Sequence, residues 1–270
     1  MANLTSHHAL FHYLRDLIEQ HVVTEDDMLV FEAFKCNDIR HACQAIRHAG
    51  SAEVEYQHLT LRFGSRGEQS VYQFQLSPHM TYCLDLFSLY LALRQTHFQM
   101  ETFHPDLISN VVVPIRTDAL LWPPGFEFLQ HILHYHALAF SHVVPSLQIN
   151  FSQPLPLEID NLVSKMRSQT YALWFELYTH AEHFEQVIRF KPDMIKLAVS
   201  LEDKQDRSDL LPLMRFLRRY RLPWVAGRVA SQKELNHYKL LGASYYFGYF
   251  SDIPTSLSFK TFDEADNDGW

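Results

Sequence analysis

The chain has 270 residues, 47% of them hydrophobic, with 23 Lys and Arg against 31 Asp and Glu for a formal charge of -8. That length suits one barrel-sized domain of about 250 residues, and the negative balance argues against a general affinity for nucleic acid or anionic membranes. No apolar run approaches the ~20 residues that cross a bilayer, and the first residues lack the charged and apolar regions of a secretion signal, so a cytoplasmic protein is expected. Ser6 can cap a helix over 6–21, in which Leu10, Leu14, Leu17 and Ile18 recur at helical spacing. Residues 28–34 and 53–63 read as strands, the second alternating Val54, Tyr56 and His58 with polar neighbours. A strongly apolar helix follows over 81–95, then a β-branched strand over 110–115 and a helix over 125–135. Strands near 146–151, 172–177 and 194–199 alternate with helices near 157–169, 181–190 and 209–220. A strand over 224–229, a helix over 232–241 and a strand over 245–250 close the series. Such alternation suits a β/α barrel or a doubly wound sheet, and periodicity does not separate the two. The end of the chain, Phe262 to Trp270, is acidic and poor in core-forming residues. Residues 1–258 are therefore read as the folded domain and 259–270 as an acidic tail.

The three cysteines, Cys36, Cys43 and Cys83, form no Cys-x-x-Cys pair, which points to reduced thiols rather than a disulfide framework or a zinc site. Among the 17 histidines, His131, His134, His136 and His142 gather in one segment. No acidic or cysteine partner sits at ligand spacing, so no metal site is assigned there. His7, His8 and His12 are read as surface residues. No nucleophile elbow, Walker or dinucleotide fingerprint occurs, which leaves no independent case for another enzyme class.

The last third carries the most specific pattern: Leu222-Pro-Trp-Val-Ala-Gly-Arg-Val-Ala-Ser-Gln, then Leu240-Leu-Gly-Ala, then Phe247-Gly-Tyr-Phe-Ser-Asp-Ile-Pro. It resembles the end of the EAL domain, the fold of bacterial cyclic di-GMP phosphodiesterases, where the family reads roughly V-V-A-E-G-V-E-T, L-G-C and Q-G-Y-x-F-S-x-P. The resemblance implies an EAL-type (β/α)8 barrel over residues 10 to 258. It puts Gly227 and Ala230 at the two glutamates of E-G-V-E and Phe247 at the glutamine before G-Y. Further back, Lys191-Pro-Asp-Met-Ile-Lys-Leu-Ala matches L-P-V-D-x-L-K-I-D, with Lys196 at the lysine and Ala198 at the closing aspartate. An ungapped count places D-D-F-G-T-G on Phe175-Glu-Leu-Tyr-Thr-His, so Phe175 stands at the first metal-binding aspartate and Glu176 keeps a carboxylate. L-E-I-T-E falls on Leu147-Gln-Ile-Asn-Phe, with Gln148 and Phe151 at its glutamates. V-N-L-S falls before Pro124-Gly-Phe, with Pro114 or Ile115 at the asparagine. The Glu-Ala-Leu signature falls on His58-Leu-Thr-Leu-Arg62, or one residue earlier at Gln57, keeping Arg62 at the substrate-phosphate arginine.

EAL enzymes are understood to hold two divalent cations that activate water, a task requiring clustered carboxylates. With Pro114, Gln148, Phe175, Glu176 and Gly227 at the site, the resemblance implies a member without metal, cofactor or phosphodiesterase activity. It implies a regulator of motility, adhesion or biofilm behaviour that binds a partner protein or an RNA-turnover factor, with a homodimer as a further state. A non-hydrolysing cyclic di-GMP receptor is the alternative, and a weak phosphodiesterase the second alternative. In the helix near 209–221, Arg215, Arg218, Arg219 and Arg221 concentrate positive charge in the last turns, while Leu210, Leu213, Met214 and Leu217 turn inward. Those cations complement the helix dipole, and they also form a candidate docking patch for an acidic protein or RNA. Tyr245, Tyr246, Tyr249 and Phe250 are read as strand packing.

Overall fold

Ser6 caps α1 (His7–Gln20) by accepting a bond from the Ala9 N–H, and the apolar stripe Leu10, Leu14, Leu17 and Ile18 is buried as its spacing requires. This is a computed structural model, and it describes residues 4–64, 67, 69–151, 154–178, 183–197 and 204–256. The tail 259–270, Ala198, Thr179 and His180 lie outside the described residues. Residues 28–34, expected as a strand, belong instead to helix α2 (Glu25–Lys35). The reason is local: Thr24 and Asp27 form a reciprocal capping box, and Glu25, Asp26 and Asp27 fill the first turn, where the helix dipole favours negative charge. That start signal outweighs the β-branched and aromatic character of Val30, Phe31 and Phe34, which serve as the helix's buried face.

Two long strands follow, β1 (Ile39–His48) and β2 (Val54–Phe63), joined as an antiparallel hairpin. The first of these is absent from the sequence reading. A two-residue segment β3 (Gln69–Ser70) leads through a 3-10 turn into α3 (Pro78–Thr102), capped by Ser77 with Pro78 at its first position. The middle of this helix, residues 86–93, is buried on all sides, because it lies between the barrel and the outer helices. Then come β4 (Asn110–Arg116), α4 (Thr117–Leu121), α5 (Pro123–Tyr135), α6 (Ala137–Phe140) and β5 (Val143–Gln148). Gly125 is required where α5 meets α4, since a Cβ there would stand 1.8 Å from the Ala119 carbonyl oxygen. Next are α7 (Glu158–Arg167), β6 (Trp174–Leu177), a 3-10 turn over Phe184–Phe190 in place of the expected helix, and β7 (Met194–Leu197). The chain finishes with α8 (Lys204–Tyr220), β8 (Trp224–Ala226), α9 (Gln232–Leu241), β9 (Tyr245–Tyr246) and a short β10 (Thr255–Ser256) against β1.

Strands β1, β2 and β4 to β9 close into an eight-stranded barrel, with β9 pairing back to β1. Seven of them run parallel, and β1 is antiparallel to both its neighbours. The (β/α)8 expectation holds, with the first repeat replaced by a hairpin. Alternate residues point into the lumen. Its floor is an apolar layer including Ile46, Tyr56, Val112, Val144, Trp174, Met194 and Val225. Among the described residues, no helix is long and apolar enough to cross a membrane, and the three cysteines are free.

Asp27 ties α2 to α3: fully buried, it accepts bonds from the N–H groups of Val23, Thr24 and Ser77. Replacing it by Ala leaves three donors without partners, and we expect a loss of ~2–3 kcal/mol. Urea denaturation checks this, with Glu25→Ala, an exposed neighbour, changing stability by less than ~0.5 kcal/mol.

Candidate functional site at the barrel mouth

The carboxyl ends of the parallel strands open on a cleft of about 790 Å³, the place where barrel folds carry their ligands. Strand register sets its floor. Arg116 pairs with Gln148 across β4 and β5, Gln148 with Glu176 across β5 and β6, and Glu176 with Lys196 across β6 and β7. Gln148, Glu176 and Lys196 therefore stand at one level of the lumen, directly above the apolar layer.

Glu176 is surrounded by donors. The Lys196 ammonium lies 2.9 Å from its Oε2, Gln148 Nε2–H donates to the same oxygen at 3.1 Å, and Tyr178 O–H donates to Oε1 at 3.2 Å. Both members of the ion pair are nearly inaccessible, at 6% and 4% side-chain exposure. Burial by itself would raise the Glu176 carboxyl, but the Lys196 charge and the three hydrogen bonds outweigh it and hold the carboxyl below its usual range. Lys196 also bonds His58 Nε2 at 3.0 Å. An ammonium is a donor only, so Nε2 is the acceptor and His58 is neutral. Burial, followed by the Lys196 charge, keeps His58 well below its ordinary value of 6.5. The Phe247 ring stacks on this imidazole at 4.4 Å between centroids.

The other predicted positions divide sharply. Pro114 lines the cleft beside Gln148. Arg62 stands at its rim, donating from Nη2 to the hydroxyl of Tyr249 at 3.1 Å. Tyr249, 63% exposed, is therefore part of the mouth, and Phe250, 41% exposed, lies beyond the end of β9, so neither is strand packing. Phe175, expected inside the site, faces outward: it belongs to the core between barrel and helices and stacks on Phe190 at 5.6 Å. Glu176, one residue on, takes the inward position. Gly227 leaves a space that Phe247 fills, since a Cβ there would come within 3.0 Å of the Phe247 ring and of the Leu197 carbonyl. Ala230 sits outside the cleft, in the turn before α9, where its N–H donates to Glu234 Oε2 at 2.8 Å.

A second ion pair, half-buried, was missed by the sequence reading. Asp85 of α3 accepts from both the backbone N–H and the guanidinium of Arg116, at 2.9 and 2.8 Å, and forms the cleft wall. Burial raises its carboxyl against the pull of Arg116. The available signal was a lone acid within the apolar run Tyr82-Cys-Leu-Asp-Leu-Phe. Beneath this wall His41 bonds Ser88 at 2.9 Å, and burial pushes its imidazole down to about 3.

A pair of divalent cations does not suit this donor set. The inward carboxylate is engaged by the Lys196 ammonium, the Gln148 amide N–H and the Tyr178 hydroxyl, and a phenyl ring occupies the space beside Gly227. Among the described residues, no three His, Cys, Asp or Glu side chains are grouped to hold a metal ion. Arg215, Arg218, Arg219 and Arg221 lie away from the mouth, all exposed at the C-terminal end of α8. None of the four pairs with a carboxylate among the described residues; Arg218 approaches the Leu241 carbonyl at 3.5 Å and Arg219 lies over the Tyr220 ring. His131 and His134 pack on Tyr135.

The hairpin-started barrel with its ligand-sized mouth defines an EAL-like fold. No protein-family model matches the sequence, and no curated protein sequence matches it. Among solved structures, the chain is similar to the PaMucR phosphodiesterase in complex with c-di-GMP, at 13% identity and a TM-score of 0.71, covering 86% of this chain and 98% of that one. It is similar to Bacillus subtilis YkuI, a protein with an EAL domain in complex with substrate c-di-GMP and calcium, at 15% identity and a TM-score of 0.68 over 88% of this chain and 59% of that one. Vibrio cholerae LapD, as its S helix-GGDEF-EAL portion bound to c-di-GMP, matches at 15% identity and a TM-score of 0.68, over 83% of this chain and 56% of that one. At such identities the likeness establishes the fold.

Removing one member of the buried pair strands the other. We expect Glu176→Leu or Lys196→Met alone to destabilise by ~3–5 kcal/mol, and the double variant to recover most of that loss; calorimetric unfolding of the three proteins checks it.

The titrations of the mouth also have a sign. A histidine held below its ordinary value binds its proton more tightly when unfolded, so His41 and His58 withdraw stability as pH falls below about 6.5. Glu176, lowered when folded, contributes stability above its unfolded value that is lost as pH falls through the folded one. All three effects have the same direction. The melting temperature should be nearly level from pH 7.5 to about 6.5 and fall from there to 4.5, each buried His contributing up to ~1.4 kcal/mol per pH unit, and a flat profile below 6.5 would contradict the assignment.

Proposed function

We propose that the chain is a non-catalytic, EAL-like regulatory protein that acts by binding a partner protein, in signalling of the kind that governs motility, adhesion or biofilm formation. In this reading Arg62, Pro114, Gln148, Phe175, Glu176, Lys196, Gly227 and Ala230 are the vestiges of a phosphodiesterase site. The observation that carries it is the commitment of Glu176 to Lys196, Gln148 and Tyr178. A carboxylate so engaged already has its charge matched by the Lys196 ammonium, which a divalent cation at Oε2 would have to displace. Arg215, Arg218, Arg219 and Arg221 are the proposed contact with the partner, an acidic protein surface, since four exposed guanidinium groups with no carboxylate partner among the described residues, on a chain of net charge -8, favour a negative counterpart.

A second reading, a receptor that binds cyclic di-GMP without cleaving it, is favoured by the open cleft and by Arg62 at its rim. Two of the structural neighbours named above are complexes with that nucleotide, and a third is a complex with it as substrate.

Calorimetric titration with cyclic di-GMP, with and without Mg²⁺ or Ca²⁺, separates the readings. No heat at saturating ligand supports the partner-binding protein, whereas micromolar binding, about -8 kcal/mol, supports the receptor. Mn²⁺-dependent hydrolysis of the nucleotide by pure protein would remove both. For the patch, Arg215→Glu with Arg218→Glu should weaken capture of the partner at least tenfold, and undiminished capture would exclude α8 as the contact.

A further inference from the structure

At the opposite side of α3 from the mouth, three imidazoles come together. His7, read from sequence as a surface residue, opens α1; its ring centroid lies 5.1 Å from that of His97 on α3 and 5.0 Å from that of His136, the residue before α6. Tyr90 of α3 meets the same ring edge-on at 6.2 Å. Both ring nitrogens of His7 and Nε2 of His136 are buried with no hydrogen-bond partner among the described residues. The other imidazole contacts run to the chain around them: His136 bonds the Leu4 backbone, and Leu4 is 1% exposed.

The charged groups facing His7 are unfavourable to a proton. From α3 come Arg94, over the Tyr90 ring, and His97; from the α5–α6 junction comes His136. The carboxylate nearby, Glu101, stands 3.7 Å from His97 Nδ1 and is 65% exposed. The first turn of α1 holds no acidic residue, and a cation at a helix N-terminus opposes the dipole. A proton arriving on His7 is thus placed in a partly dry site near the Arg94 guanidinium and two further imidazoles, with the helix dipole against it.

We propose that the first turn of α1 is a proton-operated latch: protonation of His7 against His97, His136 and Arg94 detaches residues 4–9 from α3 and α6 while the rest of α1 stays docked. The remainder is held by Leu10, Leu14, Leu17 and Ile18, all buried. Burial, then the charges of His136, His97 and Arg94, push His7 down to about 4 from 6.5. Between those two values the open form gains up to tenfold in population per pH unit, about 300-fold in all. Release exposes Leu4 and the aromatic face of Tyr90, and so couples an apolar surface to acidification.

Hydrogen exchange followed by mass spectrometry from pH 7.5 to 4.5, corrected for intrinsic exchange, tests the latch. The opening equilibrium of residues 4–11 should rise by up to tenfold per unit below about pH 6.5, with residues 12–21 unchanged. His7→Phe should be flat over the same range; His7→Gln, polar but without a titration, serves if the Phe variant fails to fold. The proposal is overturned if both variants open with the wild-type pH dependence, if residues 12–21 open in step with 4–11, or if the His7 ring titrates at or above 6.5 by NMR.

Discussion

The Glu176–Lys196 ion pair organises the lumen. Two opposite charges taken out of water need each other and further hydrogen bonds, and the neighbouring residues supply several. Gln148 and Tyr178 donate to the carboxylate, and His58 accepts from the ammonium. His58 must then remain neutral, which its burial and the adjacent charge enforce. A neutral imidazole presents a flat apolar face, and Phe247 stacks on it. The ring of Phe247 in turn needs the missing side chain of Gly227. One electrostatic requirement thereby propagates across β2, β5, β6, β7, β8 and the end of β9.

Below this layer the lumen is closed by apolar side chains, with Tyr56 meeting Trp174 edge-on at 4.9 Å. The low dielectric of that floor strengthens the pair above it and makes an unpaired member costly. The wall of the cleft repeats the same solution: Asp85, brought in on an otherwise apolar helix, is met by Arg116 from the end of β4. Each of these two acids of the mouth is matched by a cation, while Arg62 at the rim has the neutral Tyr249 hydroxyl as its partner. The mouth that results has its two acids matched by cations inside and a guanidinium, Arg62, at its edge.

The helices were legible where their signals are local. Ser6 before α1 and Ser231 before α9 each cap as their sequence context indicates, and the inward face of α8 is the one its spacing marks, with Phe216 added. Met28 to Phe34 carries the β-branched and aromatic composition of a strand, but the capping box of Thr24 and Asp27 just before it starts a helix. Strand β1 went unread because Arg40, His41, Gln44, Arg47 and His48 give it a polar composition. Its burial comes from the lumen on one side and α3 on the other, a tertiary circumstance that no local pattern encodes.

By itself, the sequence determined the order of alternating elements, the caps that start several helices, the scarcity of carboxylates along the EAL-like motifs and the cluster of arginines ending α8. These are matters of composition and short-range spacing, and they survive without knowledge of what lies opposite. Only the tertiary structure decided that Glu176 turns inward and Phe175 outward, because a strand side chain's face depends on how the barrel closes, and a shift of one residue exchanges the two. It likewise decided that Lys196 meets both Glu176 and His58, that Asp85 is matched by Arg116, and that His7 joins His97 and His136. Such contacts join residues 20 to 138 positions apart or more, and their energies come from burial and electrostatics that exist only once the chain has folded.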